Sequence, residues 1–274
     1  DSLSKVAVIH LDGNGVGAMV RGLADRLRSI PVSIFQEQIK CDASDADALR
    51  LSLLKLNKRL DNVMKDAFCD AWAAVADLAI QEGIDVVPVV PVILGGDDAT
   101  VITDGAFAIP FAVAFLEAFE ERTGADPFIS SLSDDGKMTA GAGVAVVRHN
   151  FPFHLAYDLA ERLASTAKTA GKRMDESCST LSYHILYDST VLDPEELLAS
   201  YTPFTSEAET AQSVPAMTSR PYRILARKEL SIPLPPPTMN ESWDAMRLRA
   251  AGFAGILGSF DTDEIPEESC STNP

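Results

Sequence analysis

Val92-Ile93-Leu94-Gly95-Gly96-Asp97-Asp98-Ala99-Thr100-Val101-Ile102 decides how this chain is read. Two short apolar runs, rich in Val and Ile, flank a Gly-Gly-Asp-Asp tetrad. That is the pattern of a β-hairpin closed by a tight turn. The turn then holds two adjacent carboxylates between two strands, and Gly95 and Gly96 let the backbone turn sharply and a bulky group come close. Asp and Gly are also ordinary turn residues. Two adjacent acids nevertheless repel at a tight turn unless a cation accompanies them. Mg²⁺ is a hard cation that takes oxygen ligands at phosphate sites, so Asp97 and Asp98 are read as metal ligands.

A second acidic position has the same character. Lys5-Val6-Ala7-Val8-Ile9-His10-Leu11 is a β-run ending in Asp12-Gly13-Asn14-Gly15-Val16-Gly17. Taken alone, Asp12 fits a strand-end turn as well as a metal site. If its strand lies beside the hairpin, Asp12 faces Asp97 and Asp98, and three carboxylates converge as two-metal phosphoryl transfer requires. Asn14 is also favoured in Gly-rich turns for backbone reasons.

The composition bounds the partners. The 274 residues fit one large domain or two small ones, and 46% hydrophobic content supports a sizeable core. A net charge of −17 argues against extensive direct nucleic-acid binding, because phosphate contacts need Lys and Arg. It leaves room for a small anion held through metal. Cys41, Cys69, Cys178 and Cys270 show no CxxC spacing and read as free thiols in a reducing, cytoplasmic compartment. No membrane-spanning run or signal peptide is visible. A start at Asp1 rather than Met reads as a piece of a longer protein.

Along the chain, residues 5–11 form a strand and residues 15–30 a short helix stopped by Pro31. Residues 46–82 carry a helical period through Leu49, Leu53, Leu56, Leu60, Val63, Ala67, Ala71, Val75 and Leu78, ended by Gly83. This helix is long enough to break or to pair with a partner subunit, although a core-facing role is the simpler reading. Residues 84–94 and 99–103 are the arms of the hairpin. Asp104 caps a helix bearing Phe107, Phe111, Phe115 and Phe119, ended by Gly124 and expected to pack on a sheet.

Residues 125–137 read as a polar loop and Thr139–Arg148 as a strand. Phe151-Pro152 opens a helix with Leu155, Leu159 and Leu163 inward, ended by Gly171; Leu181–Tyr187 is a strand. The order is α+β: a ferredoxin-like, split βαβ plan whose antiparallel sheet is covered by helices on one face. A short helix over 194–201, a mobile loop over 202–219, a proline-stiffened linker at 232–237 and a last helix over 241–257 follow. The domain division is a palm over 1–228, a linker with a small helical C-terminal extension over 229–260, and a disordered acidic tail over 261–274.

The ordered motifs carry a resemblance. Asp12-Gly13-Asn14-Gly15 after a strand comes first, then Gly95-Gly96-Asp97-Asp98 on a hairpin. Thr139-Ala140-Gly141-Ala142-Gly143-Val144-Ala145-Val146 follows, then His149-Asn150-Phe151-Pro152-Phe153 leading to Leu159-Ala160-Glu161-Arg162-Leu163 and Ala167-Lys168. This series, with Arg220-Pro221-Tyr222 near its end, resembles the second, catalytic palm of the large subunit of type III CRISPR effector complexes. The likeness spans roughly residues 5–225. Diguanylate cyclases of the GGDEF type are more distant relatives.

The resemblance implies a polymerase- and cyclase-type palm that converts ATP, with Mg²⁺ or Mn²⁺ as a pair of ions, into cyclic oligoadenylate messengers in antiviral defence. It assigns Asp12, Asp97 and Asp98 as catalytic, metal-binding acids. Gly13 and Asn14 fall where triphosphate and metal are met, Gly95 and Gly96 count among the nucleotide-contacting positions, and Lys168 matches a phosphate-binding lysine. The lysine position near a helix C-terminus is also favoured by the helix dipole alone.

The chain departs from the full family pattern. It has no His-Asp nuclease motif, no Cys-rich zinc insertion and only one palm, and the region beyond Arg227 has no counterpart. A homodimer, or a second palm in a longer chain, would supply the missing platform. The expected function is a metal-dependent nucleotidyltransferase making cyclic or linear oligonucleotides. The alternative is a catalytically silent nucleotide-binding or scaffold palm within a larger protein. A replicative polymerase is the weakest reading, because no basic template groove is visible.

Overall fold

A computed structural model of the chain describes residues 5–42, 44–172, 177–187, 220–224 and 241–253. The elements expected over 194–201, 202–219, 232–237 and from 261 onward lie outside the described residues, as does Cys270.

Alternating apolar residues make the first strand. β1 (Lys5–Gly13) buries Ala7, Ile9 and Leu11 on one face of the sheet and turns Val8, His10 and Asp12 to the other. It sits between β3 (Asp98–Asp104) and β4 (Ala140–Arg148), antiparallel to both. The hairpin pairs β2 (Val89–Gly95) with β3, and β5 (Ser179–Ile185) runs parallel to β4. Among the described residues, β6 (Tyr222–Ile224) completes a six-stranded sheet in the order β2-β3-β1-β4-β5-β6. The architecture is α+β, an open sheet covered by helices. The β4–β5 pair makes it mixed, because the connection between those strands is a helical crossover and a crossover returns its strand in parallel.

Helices cover both faces rather than the one face the pattern suggested. On the first face lie α4 (Ala48–Gln81) and α5 (Ala108–Ala125). α4 buries Leu56, Leu60, Val63, Ala67, Ala71 and Val75, as its period required. Leu49 and Leu78, near its ends, are exposed, because the adjoining Ala48 and Ala79 take the buried positions there. It does not break. Its C-terminus closes with Gly83 N–H donating to Ile80 O and Ile84 N–H to Ala79 O, a Schellman pair. Phe111, Phe115 and Phe119 of α5 are fully buried and stack along one side of the helix, with Phe68 of α4 edge-on to Phe111.

The other face belongs to α7 (Phe153–Gly171), which packs Ala156, Leu159, Ala160 and Leu163 against Val8, Ala145 and Val147. Its seat is made by absence of side chains. A Cβ on Gly143 would fall 1.9 Å from Ala160 O, and one on Gly141 would fall 2.4 Å from Lys168 Cγ. Only glycine lets the helix backbone come this near the strand.

Two local expectations change. The helix expected over 15–30 divides at Gly22 into α1 (Val16–Arg21) and α2 (Leu23–Arg26), and α3 (Val32–Ile39) follows. Residues 127–132 are not loop but α6 (Pro127–Leu132). Asp126 caps it by accepting from Phe128 N and Ile129 N, and Phe128, Ile129 and Leu132 are buried. A six-residue helix is too short for its period to stand out. At the C-terminal side, α8 (Trp243–Phe253) docks beside β6, where Arg223 N–H donates to Glu241 O and Trp243 meets Tyr183 and Tyr222 edge-on.

β2 is the edge strand at one end of the sheet. Its ladder slips between Pro91 and Ile93, leaving Val92 as an extra residue, and Val90, Val92 and Ile93 are exposed.

Candidate active site

The site lies on the α7 face, where β1 ends and β3 begins. Asp12 and Asp98 are direct cross-strand partners. Residues facing each other across an antiparallel pair share a face and stand within about 5.5 Å at Cβ, so the two carboxylates rise side by side. Gly95 in turn pairs with Asp98, which leaves Gly96 and Asp97 as a two-residue turn. Gly96 has φ 66° with nothing within 4 Å of an added Cβ, so glycine is required there by its dihedral alone. The turn is tied to β1 through Gly13 N–H donating to Asp97 O at 2.8 Å. A Cβ on Gly13 would press on the Asp97 Cβ at 3.2 Å, so the close approach of the two segments also depends on glycine.

Asn14 is anchored to the segment before β4. Its N–H donates to Thr139 O at 2.7 Å and its Nδ2 to Thr139 Oγ1 at 2.8 Å. Its Oδ1 is buried without a hydrogen-bond partner among the described residues. Lys168, in the last turn of α7, donates to Asp12 Oδ2 at 2.5 Å and to the Gly13 carbonyl oxygen at 3.1 Å. The glycines of β4 place it there, since they bring this turn of α7 down onto the strand beside β1.

Asp98 is the strained member electrostatically. Burial raises its carboxyl above the ordinary carboxylate range; His10 pulls the other way, and Asp12, Asp97 and Glu161 add to the rise. Its Oδ1 is buried with no hydrogen-bond partner among the described residues. The His10 Nδ1 is 3.5 Å away, an electrostatic contact too long for a good hydrogen bond, and 3.3 Å from Thr100 Oγ1.

The structure thus gathers Asp12, Gly13, Asn14, Gly95, Gly96, Asp97, Asp98 and Lys168 at one end of the sheet. Among the described residues, no three His, Cys, Asp or Glu side chains stand together as a metal would need. Asp12 and Asp98 are paired, whereas Asp97 enters the arrangement through its backbone and its charge. The donor set nevertheless suits a hard cation: two neighbouring carboxylates, with a buried carboxylate oxygen of Asp98 and the amide oxygen of Asn14 lacking hydrogen-bond partners among the described residues.

His10, Thr100, Tyr157 and Glu161 were missed from the sequence. His10 is the one with a signal, being two residues before Asp12 on the same face of an otherwise apolar strand. Tyr157 meets the His10 ring edge-on from α7. Beside Asn14 opens a cleft of about 330 Å³, lined also by Arg26, Lys137, Thr139 and Lys172. Arg26 is already committed to Asp134 through two hydrogen bonds. Among the described residues, no helix is long and apolar enough to cross a membrane.

A family model described as Cas10/Cmr2, second palm domain, matches residues 5–175. Among curated proteins none matches. The crystal structure of Csm1 in T.onnurineus is 16% identical, with 65% of this chain and 20% of that chain covered and a TM-score of 0.39. The Csm1-Csm4 cassette in complex with one ATP is 17% identical over 61% of this chain and 20% of that one, with a TM-score of 0.38. The GGDEF domain of DgcB from Caulobacter crescentus, in complex with c-di-GMP, is 12% identical over 65% of this chain and 78% of that one, at a TM-score of 0.35. This chain spans about a fifth of the Csm1 chains it matches.

Proposed function

From the premise that this chain belongs to the Cas10/Cmr2 family and carries its second palm domain, we propose that it is a metal-dependent nucleotidyltransferase, joining ATP or a similar nucleoside triphosphate into cyclic or linear oligonucleotides as a signal in CRISPR-type defence. The observation that carries this reading is the cross-strand pair of Asp12 and Asp98, with the buried Oδ1 of Asp98 lacking a hydrogen-bond partner among the described residues.

In this reading Asp12 and Asp98 hold divalent metal, Mg²⁺ or Mn²⁺, with Asp97 as the adjoining carboxylate. When bound, such ions lower the pKa of the attacking ribose hydroxyl and neutralise charge on the triphosphate and the pyrophosphate leaving group. The chain's own residues do the positioning. The backbone of Gly13 and the side chain of Asn14 lie where triphosphate and metal would be met, with the Asn14 Oδ1, unpartnered among the described residues, suited to the cation rather than to the phosphate. The turn at Gly95 and Gly96 would let the triphosphate approach closely, and Lys168 would donate to its phosphate oxygens. The cleft beside Asn14 has room for the rest of a nucleotide. Joining two nucleotides requires an acceptor hydroxyl held in line with the α-phosphate. A second palm, from another copy or from a longer chain, is the proposed source.

A second reading is a palm that binds a nucleotide or a partner protein without turnover. The engagement of Asp12 by Lys168 and the lack of a ready three-residue ligand cluster among the described residues favour it. Pyrophosphate release from ATP with Mg²⁺ or Mn²⁺ separates the two. Release by the wild-type chain that is lost in Asp98→Ala supports the enzyme. Nucleotide binding without release, also at concentrations where two copies associate, supports the silent palm.

A further inference from the structure

The oxygens that hold Lys168 are of the kind a divalent ion would choose. Asp12 Oδ2 is a carboxylate oxygen and Gly13 O a backbone carbonyl, and hard cations favour such a combination. An ammonium group is a compact cation with three donors and no acceptor, so it fits the same position. The contact is well made, since the Lys168 side chain is only 18% exposed and its partner Asp12 33%.

The stem of the lysine cannot easily drift away. Its Cγ lies over Gly141, where even an added methyl would be 2.4 Å from it, and α7 beneath it rests on Gly143. The terminal amine, three bonds beyond Cγ, is the part free to swing. We propose that Lys168 and a divalent cation compete for the Asp12–Gly13 oxygen pair, so that metal entry requires the Lys168 amine to leave. The inference rests on the metal-binding reading of Asp12 and Asp98 given above.

The competition has a defined cost. An ion that binds only when the amine is away has its apparent affinity reduced by the fraction of time the oxygens are free. A charge-assisted hydrogen bond of this type shifts such an equilibrium by about tenfold or more. The free ion alone therefore binds weakly. A polyphosphate, which offers the displaced ammonium a new anionic partner, eases its departure, and by reciprocity the ion then promotes phosphate capture by the amine.

The test uses the full chain and two readouts, neither of them activity. Amine acetylation followed by mass spectrometry reports whether Lys168 is engaged, and Mn²⁺ binding followed by electron paramagnetic resonance reports the ion. The expected result is that Mg²⁺ alone raises acetylation of Lys168 severalfold in the wild type and leaves it unchanged in Asp98→Ala. Lys168→Met, which keeps the buried stem, should bind Mn²⁺ about tenfold tighter, and Lys168→Gln provides the same comparison if the methionine variant melts early. If the wild type binds Mn²⁺ but Lys168 labelling does not respond, the amine stays on Asp12 and the competition is wrong. If Asp98→Ala binds Mn²⁺ as well as the wild type does, the metal site itself is elsewhere, and the inference falls with it.

Discussion

Asp12 and Asp98 face one another across the antiparallel β1–β3 pair, each at the point where its strand meets the glycine-bearing turns. Like charges directly opposed on a sheet destabilise it. Lys168 answers Asp12 at 2.5 Å, whereas the inner oxygen of Asp98 has no hydrogen-bond partner among the described residues. The asymmetry gives the two acids different consequences when they are altered.

Removing the charge at Asp98 should stabilise the protein in metal-free buffer. Its folded-state carboxyl titrates above the ordinary range, so the folded state binds the proton more tightly than the unfolded one. Stability from this group is therefore greatest at acid pH and is lost as pH rises from the unfolded value through the raised one. Asp98→Asn lacks that loss. At pH 7 it should melt slightly higher than the wild type, by well under about 1 kcal/mol, because the side chain is partly exposed and screened. A lower melting temperature in chelator-treated buffer would mean that the carboxylate is structural.

Gly143→Ala should be among the most damaging single-methyl additions in the chain. The new Cβ would meet the backbone at Ala160 O and Ala164 N, neither of which can rotate away. A cost of about 3 kcal/mol or more is expected in urea unfolding, at the upper end of overpacking effects. Gly96→Ala, with open space but φ 66°, should cost about 1–2 kcal/mol. Equal costs for the two would show that α7 does not rest on the strand as described.

A buried histidine sets an acid limit. Burial, and secondarily the charge of Arg220, lower the pKa of His184 to about 4, against an ordinary value of 6.5. Between those values the unfolded state binds more protons, so stability rises with pH across the window and is lost as pH falls through it. The full effect is of order 3 kcal/mol. His184→Gln should flatten the dependence of melting temperature on pH between about 6.5 and 4. An unchanged slope would place the acid sensitivity on other groups.

The hairpin, its turn and the strand bearing Asp12 were legible because each depends on local signals: alternation, a Gly-Gly-Asp-Asp tetrad, a strand closing in Asp-Gly. The order of motifs also identified the palm, as the family match over residues 5–175 bears out. What joined them was not legible. Glycines 141 and 143 were visible as letters, but that they seat α7 and so carry Lys168 to Asp12 follows only from packing between elements remote in sequence. His10 carried a partial signal in its place two residues before Asp12, but its setting follows only once Thr100 and Asp98 are beside it. α6 escaped because a cap and three apolar residues in six positions define no period. Helices on both faces became apparent only with the third dimension, because alternation in a strand reveals that a face is covered but not by which helix.

The irregularity of β2 bears on how anything can meet that side of the molecule. An edge strand usually invites a further strand, which recognises it through a continuous row of main-chain donors and acceptors. Here Pro91 contributes no donor, and the extra residue at Val92 puts the following groups out of step. The exposed Val90, Val92 and Ile93 remain available for contact, so a neighbour could adhere by side-chain shape but could not zip on as a seventh strand. The same departure from regularity lets the hairpin display sticky residues without templating the runaway stacking from which fibrils grow.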